Sequence, residues 1–419
     1  MSSLQKFVQK SFHPLDPVQD AASLRALVCE CTRNECVNSL GDKLKAIVLT
    51  GSMAREEESF VRKDDSWELF GDAEFMLVLE KNAAPPPAAA LSAIRQRIEN
   101  DLRQHKIQCA IDLSAVRPSY FRQLPPHIFS YELKHCGQVI RGDGRILDWI
   151  PDWPVDGLSR EDAWRLLCNR MIEVLECAGE LTSEENAMSA QLHYRILKLY
   201  LDMATSFLVF VRAFTPTYQE RRKNLRRFAQ ERTEAREYPF ELGTLADRVD
   251  DCTDQKLQVR CNTPCSPDLS WRDALQIAHS LWRWELAQLA GAKEQCSDRE
   301  LFAEWMRIQP LVGRTRGWVY VLRASGWHKG YRYWIHWLRL GRKASPRYWI
   351  YFVASTLLFH LTADQNRSSQ REQKPDWALL GGLLPVRKTS VKAQEEPCWE
   401  SLASDVVWNY QKFVVGTRA

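Results

Sequence analysis

Apolar and polar positions follow three different patterns along the chain. In the first 150 residues the apolar positions come as short runs broken by turn signals. Residues 45–50 (KAIVLT) form one such run, which predicts a strand ending at Gly51-Ser52. Residues 73–80, with the run Phe75-Met76-Leu77-Val78-Leu79, predict a second strand. The stretch KNAAPPPAAA that follows is a loop, because three consecutive prolines can continue neither helix nor strand. Leu91, Ile94, Ile98 and Leu102 are then spaced three and four apart, which predicts a helix over 91–104. Residues 107–113 (IQCAIDL) predict a third strand directly after it. Strand, long connection, strand, helix, strand is the order of an α/β or α+β domain.

Helical periodicity dominates residues 159–305. Ser159 and Asp162 read as a capping box ahead of Trp164-Arg165-Leu166-Leu167. The clearest helix spans 191–214, where Leu192, Ile196, Leu199, Met203, Phe207, Phe210 and Phe214 step by four or three. Its other edge is polar, with Gln191, Arg195, Lys198, Asp202 and Thr205. Such a stripe commonly faces solvent; the functional alternative is that it lines a cleft. The run TPTYQERRKNLRRF at 215–228 has the same two readings, a solvated basic helix or a contact through Tyr218 and Arg221 to a triphosphate or anionic acceptor.

Between residues 306 and 363 there is no Asp or Glu, while arginines and lysines alternate with Trp318, Trp327, Trp334, Trp337 and Trp349. This texture suits buried structure, an anionic membrane surface or single-stranded nucleic acid. The apolar run 349–363 (WIYFVASTLLFHLTA) is too short to span a bilayer. A polar break at 364–376 follows it. The expected divisions are therefore 1–150, 151–305 and 306–419, a small mixed sheet followed by a mainly α-helical region, which is an α+β chain.

Composition narrows the class without naming a function. Hydrophobic residues are 45% and charged residues 26% of 419, which excludes disordered and fibrous chains. A net charge of +4, from 57 basic and 53 acidic residues, is too mild to argue for wrapping nucleic acid. The 12 cysteines are too dilute for a disulfide scaffold. Cys29, Cys31 and Cys36, like Cys261 and Cys265, lack the paired spacing of a zinc site. No signal-peptide core follows the first methionine, so reduced thiols and a cytoplasmic location are expected.

The chemistry lies in the first 150 residues. Asp72 and Glu74 are two apart on a strand and so share one face. Asp112 closes the third strand; if that strand lies beside the second, three carboxylates converge. Such a cluster repels itself unless a cation neutralises it, and oxygen ligands at this density suit Mg²⁺. Gly51 permits close backbone approach, and Ser52 adds a hydroxyl; together they form a grip for phosphate oxygens. Arg55 adds a positive charge nearby. A phosphate grip beside a carboxylate cluster implies metal-assisted phosphoryl or nucleotidyl transfer.

VLTGSMARE, GDAEFMLVLE and CAIDLS, taken in that order, resemble the signature of the polymerase-β-type nucleotidyltransferase superfamily. The stretch YELKHCGQVIRG at 131–142 resembles the segment that closes that domain. The resemblance spans roughly 40–145, and the following helices are loosely similar to the substrate-side domain of antibiotic nucleotidyltransferases. It implies that Gly51 and Ser52 hold the triphosphate, that Asp72 and Glu74 bind metal, and that Asp112 completes the metal site and helps activate the acceptor hydroxyl. Two departures stand out: 19 residues (53–71), many acidic, separate Ser52 from Asp72, and the second acid is Glu. The Asp64-Asp65 pair inside that insert is the alternative acidic pair, but DDSWEL lacks the apolar strand that accompanies Asp72 and Glu74.

The expected activity is transfer of a nucleoside monophosphate from a nucleoside triphosphate, ATP foremost, to an acceptor hydroxyl, with two Mg²⁺ ions or Mn²⁺ in their place. A small molecule, protein or sugar acceptor fits better than a long polynucleotide. The second expectation is a non-catalytic nucleotide-binding or assembly protein, docked on a partner or peripherally on a membrane through its basic aromatic C-terminal region.

Overall fold

The computed structural model describes residues 21–183, 188–231, 238–257, 260–261, 269–293, 295–363, 375–387 and 398–415. The chain forms two compact units: a sheet unit of 1–125, 129–152 and 256–263, and a helical unit of 126–128, 153–255 and 264–419. The architecture is α+β, with the sheet region preceding the helices. Residues on both sides of position 305 lie in the one helical unit, and a short segment after residue 255 returns to the sheet unit.

The sheet unit runs α1 (Ala21–Leu40), β1 (Leu44–Thr50), the single turn α2 (Gly51–Ala54), β2 (Phe60–Lys63), β3 (Ser66–Leu79), α3 (Ala88–Gln104), β4 (Ile107–Val116), α4 (Ser119–Arg122), α5 (Ile128–Cys136) and β5 (Gln138–Gly142), with β6 (Arg260–Cys261) supplied later. The strands form a mixed sheet in the order β5-β1-β3-β2-β6, with β4 also paired to β3. β3 is antiparallel to β1 and β2 and parallel to β4. β1 reads as an unbroken apolar run because both of its faces are covered. Ile47 and Leu49 join Phe75, Leu77 and Ile111 against α1 and α3. Ala46 and Val48 join Met76, Val78, Phe121 and Leu133 on the other side. β4 instead buries Ile107, Cys109 and Ile111 and exposes Gln108, Ala110 and Asp112, the alternation of a strand with one open face.

β3 begins seven residues before the expected start. The insert folds as β2 and pairs with the first half of β3, register Lys63↔Ser66 and Phe60↔Leu69. Asp64 and Asp65 are the two residues of the connecting turn, Asp64 with φ +51°, and Asp65 reaches Lys106 at 3.6 Å. The alternative acidic pair is thus hairpin-turn chemistry, a use for which aspartate's tolerance of left-handed backbone suits it.

The helical unit comprises α6 (Arg160–Leu175), α7 (Ala178–Leu181), α8 (Ala190–Phe210), α9 (Tyr218–Glu231), α10 (Leu242–Leu257), α11 (Trp271–Ala290), α12 (Asp298–Ile308), α13 (Leu311–Ser325), α14 (Trp327–Gly341), α15 (Pro346–Ala363), α16 (Trp377–Gly381) and α17 (Trp399–Phe413). Tryptophan supplies much of its core: the rings of Trp282, Trp305, Tyr348 and Tyr351 all lie within 6.3 Å of the buried Trp164 ring. α15, the apolar run of the sequence, is a core helix with Ile350, Val353, Ala354, Leu357 and Leu358 buried. No helix among the described residues is long and apolar enough to cross a membrane.

Two local expectations change. Ser159 caps α6 by accepting from the Asp162 amide, but the Asp162 carboxylate accepts from the Ile128 amide at 3.0 Å, so the reciprocal half of the box is not made. α8 stops at Phe210 because Arg212 turns into the left-handed region (φ +62°) and the Ala213 amide closes onto the Leu208 carbonyl at 2.8 Å.

Glu285 of α11 is fully buried, and burial raises its pKa well above the ordinary 4.5, with Ser206 only partly opposing the shift. Unfolding ionises this carboxyl, so its contribution favours the folded state below about pH 4.5 and is lost as pH rises. Glu285→Gln should therefore be more stable than wild type at pH 8, by about 1–3 kcal/mol, and show a flatter stability profile above pH 5. Denaturant titrations from pH 4 to 9 check this; parallel profiles for the two proteins would contradict it.

Candidate functional site

The register of the sheet assembles the acids. Glu74 of β3 pairs with Thr50 on β1 and with Asp112 on β4, while Asp72 pairs with Ala110. Residues directly opposite share a face, so Asp72, Glu74 and Asp112 lie together on one face of the sheet. Four residues of β3 (69–72) advance against two of β4 just before the cluster, a bulge that turns at Gly71 with φ +116°. Asp72 and Asp112 are exposed and Glu74 is half-buried.

β1 then ends in the Gly51 turn, with φ +70°. A side-chain carbon at position 51 would lie 2.8 Å from the Glu74 carboxyl carbon, so Gly51 lets that carboxylate come directly against the backbone. Ser52 follows in the single turn α2, held by the Glu57 amide donating to its carbonyl at 2.9 Å.

The electrostatics match the crowding. Burial, then Asp72, then Asp112 and Glu132 push the Glu74 carboxyl up to about 7, with Arg55 opposing. Burial and then Asp72 also raise Asp112, opposed by Arg95. The donors are all carboxylate oxygens whose charges disfavour one another, the donor chemistry that a hard cation would take.

Arg55 stands differently from its expected role. Its guanidinium is ion-paired with Glu57 at 3.0 Å and with Glu132 of α5 at 2.6 Å. Glu132 escaped the reading of the sequence: it lies in the YELK stretch of the closing segment, yet only the fold brings α5 to the Gly51 turn. The acidic insert is likewise consumed internally. Glu58 pairs with Arg25 at 2.8 Å, Glu56 with the same arginine at 3.4 Å, and Glu68 with Lys63.

Lys198, Tyr218 and Arg221 belong to the helical unit. Lys198 is half-buried, its ammonium 5.6 Å from the Tyr194 ring centre. Arg221 is buried and donates to the Thr215 and Pro216 carbonyls and to Thr205 Oγ1 at 2.7, 2.8 and 2.9 Å, stacked over Phe214 and the buried Tyr218. It therefore pins the α8–α9 turn rather than presenting a guanidinium to phosphate. Arg222 and Arg226 of the same basic run pair with Asp247, Asp250 and Asp254 of α10. The polar edge of α8 is neither solvated nor a cleft wall throughout. Asp202 is buried against Arg170 at 2.7 Å, and Arg195 bridges Glu173 and Glu176.

Cys31, Asp101 and His105 approach one another in the sheet unit, their ligand atoms all within 4.8 Å. Cysteine spacing hid this group because its partners come from the last turn of α3 and the residue after it. Burial and then the Asp101 carboxylate push the Cys31 thiol up to about 12, so it stays protonated at neutral pH. Ten cysteines, Cys31 among them, are free thiols. Comparison of the chain with protein-family models, curated proteins and solved structures finds no match.

Proposed function

We propose that the sheet unit is a Mg²⁺-dependent nucleotidyltransferase domain, related to the polymerase-β-type superfamily, that transfers a nucleoside monophosphate from ATP or another nucleoside triphosphate to an acceptor hydroxyl. The observation that carries the reading is the placement of Asp72, Glu74 and Asp112 on one sheet face, with the Gly51-Ser52 turn directly against Glu74. In this reading Asp72, Glu74 and Asp112 hold the divalent cations, and Mn²⁺ serves with the same donors. The bound cations would supply charge neutralisation on the triphosphate. Gly51 and Ser52 position the phosphate chain, and the exposed Asp112 takes the proton of the acceptor hydroxyl. The acceptor oxygen bonds to the α-phosphorus as the bond to the bridging α–β oxygen breaks and pyrophosphate leaves.

Calorimetric titration of the four ribonucleoside triphosphates with and without Mg²⁺ tests this proposal. Binding should need the cation. Because Glu74 titrates at about 7, affinity should rise with pH up to that value and flatten above it. Nucleotide binding indifferent to Mg²⁺, or no binding, would count against the proposal.

One observation favours the second reading, a nucleotide-binding or assembly protein without turnover. Arg55, the cation nearest the turn in sequence, is already paired with two carboxylates. Metal-dependent nucleotide binding with no pyrophosphate release in the presence of candidate acceptors would select that reading.

A further inference from the structure

The helical unit contains a cavity of about 940 Å³ that the nucleotidyltransferase reading does not use. Its volume is at the upper end of small-molecule sites. Six arginines and lysines line it: Arg307, which is paired with Glu304 at 2.8 Å, and Arg299, Arg314, Arg339, Arg342 and Lys343. None of the other five has a carboxylate partner among the described residues. The two lining aspartates are already engaged, Asp298 with His279 and Arg283, and Asp376 as the cap of α16. Unpaired cations gathered around one concavity repel each other and create a potential that an anion relieves.

The floor is apolar, built from Phe302, Met306, Trp349, Phe352 and Phe359. Its rings are occupied with each other: Phe302 stacks on Phe352 at 4.7 Å and His279 on Phe359 at 4.0 Å. The floor's hydrogen-bonding groups are also committed, Thr356 to the Phe352 carbonyl, the Trp349 indole to the Leu340 carbonyl, and His279 to Asp298. A nucleobase needs a free stacking face and edge partners, whereas a hydrocarbon chain needs neither.

Arg314 fixes the wall between floor and rim. It is 9% exposed and donates to the Met306, Arg307 and Arg342 carbonyls at 2.6, 3.3 and 3.1 Å, tying the ends of α12 and α14 together. Its Nε is buried with no hydrogen-bond partner. Arg339 and Arg342, on the last turn and cap of α14, then extend the charge to the opening.

We infer that this cavity binds an anionic amphiphile, with a hydrocarbon chain on the Phe302–Phe352–Phe359 floor and a phosphate head at the Arg339, Arg342 and Lys343 rim. The head can belong to a free alkyl or acyl phosphate or to a membrane phospholipid. Trp334, Ile335 and Leu338, exposed on the same α14 that carries Arg339, give a bilayer something to meet.

The test is titration of the full chain with monododecyl phosphate below its micellar concentration. Saturable one-to-one binding is expected, at least about tenfold tighter than dodecyltrimethylammonium or butyl phosphate, and at least about tenfold weaker in Arg339→Ala/Arg342→Ala/Lys343→Ala. These three side chains are exposed, so the variant should keep its circular dichroism and melting temperature. Cosedimentation with phosphatidate-containing vesicles, lost in the variant, would make a membrane lipid the source. Monomer binding without cosedimentation would make it a free phosphate amphiphile. Equal binding of the two dodecyl head groups, an unaffected triple variant, or displacement of the bound chain by ATP would overturn the inference.

Discussion

Asp72→Ala, Glu74→Gln and Asp112→Ala should each lower metal-dependent nucleotide transfer by about 10³-fold without unfolding the protein. A divalent cation contributes several kcal/mol of charge stabilisation to phosphoryl chemistry, and each 1.4 kcal/mol is about tenfold in rate. The three changes differ in what they do to the protein without metal. Glu74 has its pKa raised to about 7 by burial and by Asp72 and Asp112, so its ionised form burdens the folded state. The sign follows from linkage: the folded state gains from this group below the ordinary pKa of 4.5 and loses progressively as pH rises towards 7. Glu74→Gln should thus melt higher than wild type at pH 8 in chelator while failing to bind Mg²⁺. Raised stability with lost activity is the mark of a carboxylate kept for its ligand rather than for the fold. Steady-state pyrophosphate release and thermal melts of the same preparations decide it. Unchanged turnover in all three variants would remove the active site from this sheet face.

Arg170→Met should cost about 3–5 kcal/mol. Arg170 is 8% exposed and Asp202 4%, and they meet at 2.7 Å between α6 and α8. Burial works against the charge on Arg170, and Asp202 and Glu173 more than restore it. Removing the guanidinium strands the Asp202 carboxylate inside the helix pair, whereas Glu173 retains Arg195 at 2.7 Å. Replacing both partners, as Arg170→Met/Asp202→Leu, should recover most of the loss, because no unpaired charge then remains. Urea unfolding of Arg170→Met, Asp202→Leu and the double variant measures the coupling. A double variant as unstable as Arg170→Met would show that packing, not charge, sets the cost.

The parts legible in the sequence were those in which burial leaves a periodic trace. β1, β4 and α3 fall within three residues of their expected limits, since Ile47, Val48 and Leu49, then Ile107, Cys109 and Ile111, and Ile94, Ile98 and Leu102 are buried. The first half of β3 was not legible because Ser66, Trp67 and Glu68 are only half-buried and carry no alternation. The acids Asp72, Glu74 and Asp112 could be named from their spacing, but their meeting depends on register, and a bulge at Gly71 set that register. Arg55 and Arg221 have partners that the sequence did not show, for a common reason. A guanidinium's position in sequence says nothing of its partner, and Glu132 lies 77 positions from Arg55 while Thr205 lies 16 from Arg221. The polar edge of α8 was misleading in the same way, since buried ion pairs and solvated charges are written with identical letters.

β2 is short, and its outer edge is closed by β6, with Val61 opposite Arg260 and Arg62 opposite Cys261. Lys256 reinforces the same corner: Ser59 Oγ donates to its carbonyl at 2.7 Å, and its ammonium donates back to that hydroxyl at 2.8 Å. The ribosome has therefore made about 200 residues beyond β2 before the strand that seals it emerges. Until then the nascent sheet offers an unpaired edge, the kind of surface on which chains join one another. Expressing the first 152 residues by themselves would make that interval permanent.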